Sequence, residues 1–167
     1  MGNTIKTLLV VFVSVCVTII AMLLLWTSVS NKPLLPDKPP DAIDENASID
    51  DFDKDKLETP DGGSGLSLEY TKEISIDLKT QTATLYFKNA GESLQNAAVF
   101  LIVQDTIVSQ SGLLPPGAAI TTMPLSEKGA LLQNGNYTGA FIVQFFNENG
   151  EESQLNSRIE GISITVK

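Results

Sequence analysis

Two hydrophobic rhythms divide this chain. From Thr7 to Trp26 it reads TLLVVFVSVCVTIIAMLLLW, with no charge, no Pro and no Gly. At 1.5 Å per residue a helix of that length spans roughly 30 Å, the thickness of a bilayer's hydrocarbon core. Lipid offers backbone groups no partner, so a single segment of this kind must be helical. The run is apolar all round, which argues against a buried helix of a soluble domain. Trp26 stands at its far end, where an interfacial ring is favoured. Residues 1–30 are therefore expected to be a transmembrane signal-anchor. The competing reading is a cleaved signal peptide with Ser28-Val29-Ser30 as the small-residue site, but the apolar run exceeds the usual signal length. The short N-terminal tail favours an N-in, C-out orientation, with the lysines on the two sides nearly balanced.

From residue 67 the period changes to two. Ile74, Ile76 and Leu78 alternate with Ser75 and Asp77, and Ala83, Leu85 and Phe87 with Thr84 and Tyr86. Phe141, Val143 and Phe145 form another such set, and Ile162, Ile164 and Val166 a fourth. This is half-buried strand patterning. Ala97–Val103 (AAVFLIV) is apolar on both faces and reads as a central strand. Turn residues separate the runs, among them Asn89-Ala90-Gly91-Glu92, Pro115-Pro116-Gly117 and Gln133-Asn134-Gly135. Strands are predicted near 73–79, 82–89, 96–103, 107–111, 118–125, 137–146 and 160–166. The expected fold for residues 67–167 is all-β, a seven-stranded antiparallel immunoglobulin-like sandwich. Tyr137 sits at the start of the sixth strand, where its hydroxyl is expected to cap the preceding corner. Gly117 and Gly135 are turn glycines, before the fifth and the sixth strand respectively. Gly139 stands where antibody domains carry a cysteine, so no inter-sheet disulfide is expected.

Between the two rhythms, residues 31–66 show no periodicity. They hold five prolines, a Gly62-Gly63-Ser64-Gly65 tract, and ten acids against four lysines. Such a segment is expected to be a disordered linker, because it cannot bury enough surface to offset chain entropy. It would tether the domain away from the bilayer. Asp51, Asp53 and Asp55 resemble the start of a calcium loop, but Lys56 stands at the sixth position and Gly62 at the twelfth, so the run reads as solvated charge.

Charge and composition narrow the chemistry. The net charge is −9 over 167 residues, and no basic cluster exists to meet a phosphate backbone, which excludes nucleic acid as a partner. There is no histidine, and the one cysteine, Cys16, lies inside the apolar run, so no cofactor, Cys/His metal site or internal disulfide is expected. Val15 before Cys16 does not suit a lipoprotein signal, and Lys6 breaks the myristoylation pattern. No nucleophile motif or phosphate loop occurs, and the chain is expected not to be an enzyme. Glu148, Glu151 and Glu152 are the densest acids of the domain and fall in a turn, where solvated charge is the plain reading. The sequons Asn46-Ala47-Ser48 and Asn136-Tyr137-Thr138 matter only in a glycosylating pathway.

The order N-A-G-E-S (Asn89–Ser93), S-G-L-L-P-P-G (Ser111–Gly117), L-x-x-G-x-Y (Leu132–Tyr137) and a closing strand resembles a group of uncharacterised membrane-anchored proteins of Gram-positive bacteria. The resemblance implies an immunoglobulin-like domain outside the cell membrane, and carries no catalytic residues. The functional expectation is a membrane-tethered, extracytoplasmic binding or interaction module; the sequence does not name its ligand, and an envelope protein and a glycan are the candidate partners. The alternative is a structural or accessory subunit of an envelope assembly such as a secretion or surface-fibre system. An exposed apolar patch, for which Ile142 and Phe146 are the candidates, would be its sign.

Overall fold

The structure, a computed structural model, describes residues 35, 40–49, 65–147, 149–151 and 156–167. All belong to one unit, Pro33–Lys167. The expected transmembrane segment, with Trp26, lies outside the described residues, and so does most of the expected linker.

Nine strands form: β1 (Ser48–Ile49), β2 (Leu68–Tyr70), β3 (Glu73–Asp77), β4 (Thr82–Asn89), β5 (Asn96–Val103), β6 (Thr106–Gln110), β7 (Ala118–Pro124), β8 (Gly135–Phe146) and β9 (Ser157–Val166). β3, β4, β8 and β9 lie where the two-residue alternation runs, and β5 where both faces are apolar. A single 3₁₀ turn, Gly129–Leu131, is the one helix among the described residues. Between β5 and β6, Gln104 and Asp105 both have positive φ, as a two-residue hairpin that follows the strand twist requires.

The strands make one curled sheet in the order β1-β7-β4-β3-β9-β8-β5-β6, with β2 also on β4. β2 and β3 pair with the two ends of β4. At the break between them, the Thr71 N–H donates to the Tyr86 carbonyl, and the Tyr86 N–H donates to Thr71 Oγ1. A hydroxyl thus stands in for a backbone acceptor where the strand bends.

Curling brings the inward side chains of β3, β4 and β7 against those of β5, β8 and β9. Ile76, Phe87, Ile120, Met123, Leu101, Phe141, Val143 and Ile162 share one core. Phe141 is at its centre. Its ring packs edge-on to Phe87 at 5.6 Å and to Tyr70 at 6.3 Å, joining β8 to β4 and β2. A second cluster, Ala98, Phe100, Ile102, Ile142 and Phe146, lies on the opposite face of β5 and β8. Leu35, Ile107 and Leu113 pack against it. This explains the apolar character of both faces of 97–103, which is buried throughout.

Three expectations need correction. The sheet is mixed rather than antiparallel, because β3 runs parallel to β9 from Glu73↔Ser163 to Ile76↔Val166. Among the described residues there are nine strands rather than seven. The two extra, β1 and β2, are too short to show a period of two. Residues 40–49, expected as unstructured linker, lie on the sheet through β1 and the contacts described below.

Removing the Phe141 ring leaves a void between β8 and β4. Phe141→Ala is expected to cost about 3–5 kcal/mol. Tyr70→Ala, at a ring 36% exposed, should cost less than half as much. Urea denaturation midpoints of the two variants check the order.

Candidate interaction site

The ends of the strand order, β1 and β6, bound the least regular part of the molecule. β6 and β7 face each other there. On one side of this seam they meet directly. Ser109 Oγ donates to the Pro124 carbonyl at 2.6 Å, Ser126 Oγ donates to the Ile107 carbonyl at 2.9 Å, and the Ser126 N–H donates to the Val108 carbonyl at 2.9 Å. On the other side, residues 42–49 cross between them. Ile43 lies parallel to Leu113, with the Asp44 N–H donating to the Leu113 carbonyl and the Leu113 N–H to the Ala42 carbonyl. Five residues on, β1 pairs with β7 at Ser48↔Ala119 and Ile49↔Ala118. One continuous segment therefore pairs with β7 and with the chain just beyond β6.

Asp44 fixes it there. Its side chain is buried, and its carboxylate accepts the Gly112 N–H at 2.7 Å and the Asn46 N–H at 2.9 Å. Bonds from backbone N–H to a carboxylate are among the stronger kinds. Gly112 is matched to it. A Cβ there would fall 2.6 Å from Asp44 Cα and 2.7 Å from its N, so only glycine leaves room for the segment. An open cleft of about 430 Å³ runs beside the contact, lined by Pro40, Asp41, Asp44, Gln110 and Pro124 among others.

The two turn motifs of the sequence meet at the same end. Asn89 Nδ2 donates to the carbonyls of Gln95 and Leu114 at 2.8 and 2.9 Å. The Gly117 N–H donates back to the Asn89 carbonyl at 2.7 Å. Ser93 Oγ and Ser67 exchange a pair of hydrogen bonds. N-A-G-E-S and S-G-L-L-P-P-G are thus two halves of one hydrogen-bonded cap. Gly117 has φ 87°, a left-handed position within it.

Tyr137 is at the other end. Its hydroxyl donates to the Gln133 carbonyl at 2.9 Å, four residues back. Gly135 opens β8 opposite Val166. At Gly139 a Cβ would collide with the Ile102 carbonyl and with Ile164, so no side chain fits there, a cysteine included. Ile142 and Phe146 are buried and offer no patch. Of the three acids in the last turn, Glu151 is described. Asn147 Nδ2 donates to its carboxylate at 2.8 Å, and the pair is exposed. Asp51, Asp53 and Asp55 lie outside the described residues. Among the described residues, no three His, Cys, Asp or Glu side chains gather as a metal site would need, and no helix is long and apolar enough to cross a membrane.

A second open cleft, about 560 Å³, lies over β3 and β4. Thr71, Glu73, Ser75, Thr84, Tyr86 and Thr165 line it, with Ile74 and Leu85. Sequence reasoning passed over it because its residues were counted as the outward half of an alternation. Their common hydroxyl chemistry shows only when three strands are placed side by side.

No protein-family model matches the chain, and no curated protein does. Among solved structures, the crystal structure of AggA, the major subunit of aggregative adherence fimbriae type I from Escherichia coli, is similar at a TM-score of 0.31 and 10% identity. The match covers 67% of this chain and 97% of that one. A likeness at that level carries no argument about fold or function.

Two outcomes follow from the geometry. Tyr137→Phe is expected to lower stability by about 0.5–1.5 kcal/mol, the value of one hydrogen bond. An unchanged denaturation midpoint would show that the hydroxyl contributes nothing. Asp44→Ala leaves the Gly112 N–H without its acceptor. Hydrogen exchange at the amides of Asp44, Gly112 and Leu113 should then quicken at least tenfold, while Val143 and Ile164 keep wild-type protection.

Proposed function

We propose that this chain is a membrane-tethered, extracytoplasmic binding module built on an immunoglobulin-like sandwich. In this reading one layer is β2/β3, β4 and β7, and the other is β9, β8, β5 and β6. The parallel β3–β9 pair joins them. The Thr7–Trp26 run is the retained anchor, oriented with its short tail inside.

The cleft over β3 and β4 carries the functional reading. Four Ser and Thr hydroxyls, one carboxylate and one half-buried tyrosine line a single open surface. Hydroxyls and a carboxylate form dense hydrogen bonds with a polyol, and a tyrosine offers an apolar face together with a polar tip. That combination suits a glycan of the cell envelope better than an apolar ligand. The reading includes no reaction. The described acid of the last turn, Glu151, is held by Asn147 in an exposed loop.

Full-length protein in detergent, titrated with fragments of envelope polysaccharide, tests it. Binding should weaken at least tenfold in Tyr86→Ala and in Glu73→Gln, with denaturation midpoints within about 0.5 kcal/mol of wild type. Full binding by both variants would dismiss the cleft. Capture of an envelope protein by a surface those variants leave intact would favour the accessory-subunit reading.

A further inference from the structure

We propose that the cleft over β3 and β4 is the middle of a longer track, which takes the interior of a neutral, unbranched, extended polysaccharide lying across the strands. The proposal rests on the glycan reading of that cleft and narrows it to one class of chain.

The strand register carries it. Thr122 on β7 pairs with Thr84 on β4, and Thr84 with Ser75 on β3. Ser75 pairs in turn with Thr165 on β9, and Thr165 with Asn136 on β8. Paired residues project from the same face of a sheet. Their chain neighbours Met123, Ala83, Ile76 and Ile164 belong to the main core, which fixes the row on the outer face. Five adjacent strands thus present one line of hydroxyls that ends in an amide. Thr84, Thr165 and Asn136 are exposed, and Thr122 and Ser75 half-buried. Thr165 Oγ1 donates to Asn136 Oδ1 at 3.2 Å, so the last two members touch. Ser75, Thr84 and Thr165 line the cleft of about 560 Å³. Two residues along the strands runs a second row, Glu73, Ser163 and Thr138, on the side where Tyr86 stands.

The dimensions select the ligand's shape. Five strands spaced by roughly 4.8 Å give a track roughly 19 Å long, and the two rows are roughly 7 Å apart. That is the width of one sugar chain and the length of several sugars, and only an extended chain reaches every strand. Both ends are open among the described residues. β1 pairs with β7 at Ala118 and Ala119, short of Thr122. β5 pairs with β8 from Gly139 onward, short of Asn136. No wall stands where a chain terminus would be read.

The side chains select its chemistry. A threonine hydroxyl both donates and accepts, as a sugar hydroxyl does, and the methyl beside it suits the C–H groups of a ring. Tyr86 adds an aromatic surface. Glu73 is the one charged residue of the two rows, so a polyanion would meet a carboxylate there and no facing cation.

Chito-oligosaccharides are neutral, unbranched and extended, and serve as the probe. Full-length protein in detergent is titrated with the disaccharide, the tetrasaccharide and the hexasaccharide. Affinity should rise at least tenfold from the shortest to the longest. Reduction of the terminal sugar should leave hexasaccharide affinity within about twofold. Thr122→Val and Asn136→Ala, at opposite ends of the row, should each weaken hexasaccharide binding about fivefold, the worth of one hydrogen bond, with unchanged denaturation midpoints. Equal affinity at all three lengths would overturn the track, and so would loss of hexasaccharide binding on reduction of its end. Binding of envelope-polysaccharide fragments that Tyr86→Ala weakens, with no chito-oligosaccharide bound at any length, would overturn the track and keep the cleft. Absence of both kinds of binding would overturn the two together.

Discussion

A sheet that stops has two edges, and each carries N–H and C=O groups that must find partners in water, in a neighbour, or in the chain itself. The architecture of this domain follows from how that requirement is met. Curling brings the ends of the strand order toward each other. Hydroxyls of Ser109 and Ser126 close one side of the gap, and a segment from the acidic stretch closes the other. Serine suits the first task because its oxygen reaches a carbonyl where twist has pulled the backbones out of register. Aspartate suits the second because one carboxylate accepts two N–H groups at once.

Most of the strand layout was legible in the sequence. β4 and β5 occupy the residues that alternation and two-faced apolarity predict, and the other long strands lie within about three residues of expectation. A two-residue period is a local signal, and these strands are long enough to carry it. The pairing of β3 with β9 was not legible, because Ile74 and Ile164 lie ninety residues apart and carry no sign of each other. The docking of residues 40–49 was hidden for a different reason. Composition averages over a segment, whereas the contact depends on one carboxylate and on a glycine sixty-eight positions away. Entropy argues against order for the segment as a whole. It does not argue against a few residues held by a strong polar contact.

The candidate surfaces follow the same division. The turn motifs Asn89–Ser93 and Ser111–Gly117 were visible as turns, and the hydrogen bonds of Asn89 that lock them together were not. Tyr137 was visible because its partner is only four residues away. The hydroxyl-lined cleft was invisible because it draws on β3, β4 and β9 together. Contacts close in sequence were readable, and surfaces assembled from distant strands were not.

The parallel alignment of β3 with β9 has a mechanical meaning. β3 begins at Glu73, and β9 ends at Val166 beside the same strand, pointing the same way. Forces applied to the start of one and the end of the other act along the strands in opposite senses. The rungs from Lys72–Ser163 to Ile76–Lys167 are then loaded together in shear instead of being peeled apart one by one. Bonds that must fail together resist far more load than bonds that fail in turn, so the parallel arrangement strengthens this pair against a pull on those two ends.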